Sequence, residues 1–270
     1  MLGQSYTCTV TNTAIQPKIT VFKHVDNGNT GSTKVASDFT MNVLGSNVSD
    51  GSFPGDENGT TVTLNAGFYS VYESPKSGYL TTYSGQCGGL FQRINVGETK
   101  ECTVKNTAIA PRLSLFKIAI NDNGGSSKSS DWTLTATPNN ETAPTISGNG
   151  HNGVVNVPAM VNVTYTLSES GPAGYQAGKW HCIGGDLNGN TLTLELGKIV
   201  ACYVTNNDIA PKLTLHKEVI NNNSGESESS DWTLTATPDS DYAKTISGNG
   251  EDGVYQQEAV ANVAYTLTEE

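Results

Sequence analysis

Basic side chains are scarce in this chain: 15 Lys and Arg stand against 26 Asp and Glu, for a formal net charge of −11. No basic cluster occurs, and a phosphate-binding surface needs one, so nucleic acid is not expected as a partner. Long apolar runs are missing as well. No stretch approaches the length of a transmembrane helix, so no membrane-spanning segment is expected. Met1 leads into a strand-like stretch instead of a basic segment with an apolar core, so no secretory leader is visible. Metal-ligand spacings are absent too: there is no CxxC or HxxxH, and His181 beside Cys182 is a lone neighbour, which argues against zinc. The Asp- and Asn-rich stretches Asp26–Gly31 and Asn121–Ser127 lack the terminal Glu of a calcium loop and read as hairpin turns. No Ser-His-Asp grouping, nucleophile elbow or phosphate loop survives placement on strands, so neither a turnover enzyme nor a cofactor is expected.

What the chain does hold is 29 Gly together with abundant Thr, Ser, Asn and Val. That mixture suits strands joined by turns, and no long run carries helical periodicity. The chain also repeats itself. DWTLTATP starts at Asp131 and again at Asp231, and TISGNG at Thr145 and Thr245. NVTYTLSES (Asn162–Ser170) returns as NVAYTLTEE (Asn262–Glu270). A more divergent copy lies upstream, with SDFTMNV (Ser37–Val43) in place of SDWTLTA. Short Pro-containing joints at AIQP, AIAP and DIAP set the boundaries. Repeat 1 is therefore 17–110, repeat 2 is 111–210, and repeat 3 is 211–270, which lacks the last part of its predecessor. Residues 1–16 carry GQSYTCTVTNTA, a match for GETKECTVKNTA (Gly97–Ala108), and read as the closing strand of a further upstream repeat.

Within residues 111–210 the turn signals separate about seven strands, near 111–120, 131–137, 153–157, 161–169, 175–182, 190–196 and 199–207. Seven short strands in about a hundred residues predict an all-β chain of tandem Greek-key, immunoglobulin-like sandwiches. Trp132 and Trp232, alternating with Leu134 and Leu234, read as core.

One phrase recurs at the head of each repeat: PKITVFKHV, PRLSLFKIA and PKLTLHKEV. Strand alternation puts Lys23 with Ile19 and Val21, Lys117 with Leu113 and Leu115, and Lys217 with Leu213 and Leu215. A lysine on the inward face is costly unless something pairs or neutralises it. Glu73, Glu169 and Glu269 recur in YSVYE, YTLSE and YTLTE, also on the inward face. Asn106 and Asn206 close CTVKN and CYVTN, and Asn12 repeats that position near the N-terminus. Each complete repeat thus sends a Lys, a Glu and an Asn inward from its first, a middle and its last strand.

These three motifs, in order and in register, make the chain resemble the Cna B-type (SpaA-like) domains of Gram-positive pilins and adhesins, which have a prealbumin-like fold. The resemblance implies an intramolecular isopeptide from Lys23 to Asn106 assisted by Glu73, and from Lys117 to Asn206 assisted by Glu169. Lys217 and Glu269 then lack a local Asn, and Asn12 lacks a local Lys. Physically, burial lowers a lysine pKa and raises a glutamate pKa. The neutral amine becomes a nucleophile, and a protonated Glu can polarise the carboxamide and shuttle protons. An added cysteine pair departs from the family pattern, as does SPKSGY after Glu73.

Cys87 and Cys102, and likewise Cys182 and Cys202, sit in contexts that read as neighbouring strands of a hairpin, so disulfides Cys87–Cys102 and Cys182–Cys202 are expected. Each would contribute about 3 kcal/mol by the loop-entropy model and would imply an oxidising, extracellular compartment. Cys8 is left without a partner. The expected function is a stalk segment of a cell-surface adhesin or pilus-like protein, with the neighbouring repeats of the same polypeptide as its partners. The alternative is an adhesion module that binds a host protein or glycan through the loops Ser46–Asn58 and Pro138–Ala143.

Overall fold

The computed structural model describes residues 2–87, 89 and 91–270. Met1, Gly88 (in the SGQCGG arm of the expected hairpin) and Leu90 lie outside the described residues. The chain divides into two compact units. One comprises Met1–Arg112, Pro158–Val163 and Leu194–Lys198; the other comprises Leu113–Val157, Thr164–Thr193 and Ile199–Glu270.

The all-β expectation holds. Repeat 1 contributes β1 (Lys18–Asp26), β2 (Thr40–Leu44), β3 (Ser52–Pro54), β4 (Thr60–Thr63), β5 (Gly67–Glu73), β6 (Tyr79–Gly85), β7 (Gln92–Ile94) and β8 (Thr99–Ala108). They form two four-stranded sheets, ordered β4-β1-β8-β6 and β3-β2-β5-β7. Strand β1 is antiparallel to β4 and parallel to β8, with Lys23 beside Val104 and Val25 beside Asn106. The sandwich core is built by the alternate residues that the sequence pattern sends inward: Ile19, Val21, Met41, Val43, Val62, Tyr69, Val71, Cys102 and Val104. Removing such side chains from water at about 25 cal/mol per Å² is the main force that closes the two sheets.

Repeat 2 follows the same plan with β9 (Arg112–Ile120), β10 (Thr133–Pro138), β11 (Ile146–Asn149), β12 (Val154–Pro158), β13 (Thr164–Ser170), β14 (Tyr175–Ile183), β15 (Asp186–Asn188), β16 (Thr191–Thr193) and β17 (Ile199–Asp208). The sheets run β12-β9-β17-β14 and β11-β10-β13-β16-β15. Seven strands were expected here and nine are present. The two extra, β11 and β15, lie in TISGNG and GGDLNGN, where glycine and asparagine hide a short strand beside a turn. Backbone ladders decide the matter: Leu134 pairs with Gly148, and Leu187 with Leu192.

Repeat 3 supplies β18 (Lys212–Leu215), β19 (Thr233–Pro238), β20 (Ile246–Asn249), β21 (Val254–Glu258) and β22 (Tyr265–Glu269), in sheets β18-β21 and β20-β19-β22. The described residues end at Glu270, the position of Ser170, so β14, β15, β16 and β17 have no counterpart among them, and the core here is small, around Ala236, Ile246 and Val254. The N-terminal segment that matches β8 is not a strand: residues 4–16 are outside any ladder. A strand needs a neighbour for its N–H and C=O groups.

Candidate functional site

In repeat 1 the lysine and asparagine come from adjacent strands of one sheet, β1 and β8, and the glutamate comes from β5 of the other. The three meet across the core. Lys23 Nζ lies 3.0 Å from Glu73 Oε2, and the two side chains are 0% and 1% exposed. The Asn106 carboxamide donates through Nδ2 to Glu73 Oε1 at 2.6 Å. Asn106 Oδ1 is buried without a hydrogen-bond partner. A buried, unsatisfied carbonyl oxygen costs about 1–3 kcal/mol and invites a donor.

Burial is the largest influence on the Lys23 amine and pushes its pKa below the ordinary lysine value. The hydrogen bond and charge of Glu73, with the charge of Glu57, pull it back up. Lys117 is lowered for the same reason and opposed by Glu169. In repeat 2 Lys117 Nζ reaches Glu169 Oε2 at 2.5 Å, with the lysine fully buried and the carboxylate slightly open. Asn206, buried on β17 next to β9, accepts from the Gly178 N–H at 3.4 Å. Repeat 3 keeps the ion pair, Lys217 Nζ to Glu269 Oε2 at 2.7 Å, but its side chains are 19% and 54% exposed. Asn12 is exposed.

An aromatic ring covers each amine. Lys23 lies 4.6 Å from the Phe39 ring centre, Lys117 4.9 Å from Trp132 and Lys217 4.9 Å from Trp232. The ring is placed by the residue before it. Asp38 accepts from the Val35 N–H, Asp131 from Lys128 and Asp231 from Glu228, each closing a single 3₁₀ turn that ends at the aromatic. The tyrosine that ends the Glu box packs edge-on to the ring in both complete repeats: Tyr79 on Phe39 at 5.1 Å, and Tyr175 on Trp132 at 5.0 Å.

The structure also holds the disulfides Cys87–Cys102 and Cys182–Cys202, while Cys8 is free and exposed. The cysteines of the second pair face each other on β14 and β17. The Asn121–Ser127 stretch folds around a carboxylate of its own chain. Backbone N–H groups of Asp122, Asn123 and Gly125 all donate to Asp208. Burial would raise the Asp208 pKa, but these donors hold it below the usual carboxylate value. Inward-pointing N–H groups suit an anion, which fits the turn reading of that stretch.

A family profile described as a prealbumin-like fold domain matches residues 15–104, 109–204 and 208–270. The chain belongs to this SpaA-type family of prealbumin-like domains. No curated protein matches it. Solved structures similar to it include the TIE protein of Bacillus anthracis, at 16% identity over 94% of this chain and 45% of that one, with a TM-score of 0.47. The major pilin (T-13) of Streptococcus pyogenes aligns at 13% identity over 74% of this chain and 98% of that one, TM-score 0.34. The pilus adhesin SpaC of Lactobacillus rhamnosus GG aligns at 14% identity over 95% and 36%, TM-score 0.29. The chain spans less than half the length of the Bacillus protein.

Several residues of these prealbumin-like domains escape a reading based on inward charges. Gly55, Gly150 and Gly250 press on the lysine stems. A Cβ there would come within 2.4–2.5 Å of a carbon of Lys23, Lys117 or Lys217. The recurrence of TISGNG marks two of them but does not say what they touch. The aromatics read as plain core, and their role over the amine follows only from the fold.

Proposed function

We propose that the chain is a load-bearing stalk segment of an extracellular bacterial surface adhesin or pilus-like protein, built of repeats 17–110, 111–210 and 211–270. In the two complete repeats a Lys–Asn isopeptide closes the sandwich. One observation carries the reading: a fully buried amine and a buried carboxamide both engage Glu73. Neutralising that amine relieves the desolvation of its charge. Its Nζ then attacks Asn106 Cγ. The Nζ–Cγ bond forms, the Cγ–Nδ2 bond breaks, and Glu73 carries the proton from Nζ to the departing ammonia. The same step joins Lys117 to Asn206 through Glu169. It happens once per repeat and turns over no external substrate.

Family membership and the two disulfides support an oxidising, extracellular setting. Among the described residues no helix is long and apolar enough to cross a membrane. Closing a loop of roughly 84 residues stabilises the folded state by about 4–5 kcal/mol, with the disulfide model carried over by analogy.

Intact mass is the test. The expected value is two ammonia below the sequence mass after allowance for the disulfides. Glu169→Ala should restore one of the two, and a Glu169→Ala protein that keeps both deficits overturns the role of the carboxylate. Bond formation should accelerate with rising pH as the amine deprotonates, from below the ordinary lysine pKa of about 10.4. In an unjoined Asn106→Ala chain stability should also rise with pH, because the unfolded lysine holds its proton more tightly than the folded one.

A further inference from the structure

The aromatic ring over each amine is itself held in place, and both complete repeats hold it in the same way. We propose that Tyr79 and Tyr175 are positioning residues. Each is clasped through its hydroxyl to an asparagine of the loop after the lysine strand, and so locks the aromatic lid over the amine once the strand that carries the carboxamide has docked.

In repeat 1 the Tyr79 hydroxyl donates to Asn27 Oδ1 at 3.1 Å, and Asn27 Nδ2 donates to the Lys34 carbonyl at 2.8 Å. Ser32 Oγ lies 2.5 Å from the same hydroxyl. In repeat 2 Tyr175 donates to Asn121 Oδ1 and accepts from the Ser127 N–H at 3.0 Å. Asn121 Nδ2 donates to the Ser127 carbonyl at 3.1 Å. Each loop runs directly into the 3₁₀ turn that ends at Phe39 or Trp132. Each tyrosine ring stands edge-on to that aromatic, at 86° and 89°.

The other end of the clasp is the sheet that carries the carboxamide. Tyr79 pairs with Ala108 as Thr81 pairs with Asn106, and Tyr175 pairs with Asp208 as Ala177 pairs with Asn206. One side chain therefore ties the loop of the amine strand to the strand beside the carboxamide. The seat is also cut to the ring. A Cβ at Gly171 would come within 2.3 Å of the Trp132 indole, and repeat 1, with the smaller Phe39, has Pro75 at that position. With the lid locked, Phe39 and Trp132 are 1% and 2% exposed, and water is kept from the amine. That exclusion is what lowers the Lys23 pKa. The titratable groups around Lys23 are Glu73 on β5, Glu57 beyond β3 with its partner His24, Asp38 of the turn with its partner Lys34, and Tyr83, whose hydroxyl accepts from the Glu73 N–H. Removing the Tyr79 hydroxyl alters none of these charges.

The effect on the amine stands by itself, whereas the effect on bond formation rests on the Lys–Asn chemistry proposed above. The amine is read in an unjoined Asn106→Ala chain by NMR titration of the Lys23 Cε. Adding Tyr79→Phe should move that titration to higher pH, because water regains the ammonium. Bond formation is read in the 270-residue chain, made by cell-free synthesis with oxidised glutathione and chased at a series of pH values. Mass spectrometry then follows the Lys23–Asn106 linked peptide. Tyr79→Phe should slow its appearance about fivefold, the scale of one lost hydrogen bond, raise its half-maximal pH, and leave the Lys117–Asn206 peptide unchanged. Asn27→Ala should do the same and the double variant no more, because the two side chains act as one unit. Tyr69→Phe removes a hydroxyl bonded to the Gln86 carbonyl in the same sandwich; it controls for stability alone and should change neither the titration nor the rate. A Tyr79→Phe chain whose Lys23 titrates as in the parent overturns the clasp, as does a Tyr69→Phe chain that shifts it equally. A parent without ammonia loss, in which Tyr79→Phe still shifts the titration, keeps the clasp and overturns the isopeptide chemistry, so the two failures are separable.

Discussion

Repeat 1 buries its lysine and glutamate together, whereas repeat 3 holds the equivalent pair at an open face. The separations are alike, 3.0 Å for Lys23–Glu73 and 2.7 Å for Lys217–Glu269. Exposure differs: 0% and 1% in one, 19% and 54% in the other. Each amine also has its aromatic cover, Phe39 or Trp232. The pairing is therefore organised by the early strands and the 3₁₀ turn, and dryness is added by the closing strands. In water such a pair is worth about 1 kcal/mol, whereas in a dry core the same charges must be paired or neutralised. Reactivity should follow the dryness, not the distance.

The sharpest way to break this contrast is to make one substitution in both places. Glu73→Ala should lower the stability of repeat 1 by about 3–5 kcal/mol, because it strands a buried amine, and should remove one ammonia deficit. Calorimetry and intact mass read both effects. Smaller is the effect of the paired change Cys182→Ser with Cys202→Ser, at about 3 kcal/mol for the short loop it opens, measured by denaturant unfolding of repeat 2. Asp208→Asn should cost about 2 kcal/mol, the scale of hydrogen bonds to a charged acceptor. Repeat 1 has Ala108 at that position and supplies the natural control. The native Asp208 carboxylate has a depressed pKa, so its contribution is present above the unfolded value of about 3.9 and is lost as pH falls through the folded one. An acid titration of both chains should show the difference shrinking below that range. Least of all, Glu269→Ala should change stability by under about 1 kcal/mol, as for an exposed pair. A loss as large as that of Glu73→Ala would refute the role given to burial.

Much of this was legible from spacing alone. Lys23, Lys117, Glu73 and Asn106 stand on the inward face because alternation is a strict geometric rule, and the repeat displayed it more than once. Strands β11 and β15 were not legible, since Gly148 and Asn188 look like turn residues and only a partner ladder shows otherwise. Glu169 reads as inward and is partly open, because alternation gives the face but not the depth. Asp208 gave no signal, as its donors come from a loop far away in sequence. The glycines against the lysine stems were equally silent: close approach is a property of two segments, and one segment cannot display it.

The side-by-side run of β1 and β8 has a mechanical meaning. Tension applied at Lys18 and Ala108 acts at opposite ends of a parallel ladder of nine residue pairs, so the strands must slide instead of peeling apart. Hydrogen bonds in that geometry are strained together, not one after another. With the proposed bridge across the seam, roughly 84 residues are kept out of the line of pull, about 300 Å of contour at 3.3–3.6 Å per residue. A string of such modules would pass on a sudden jerk without lengthening.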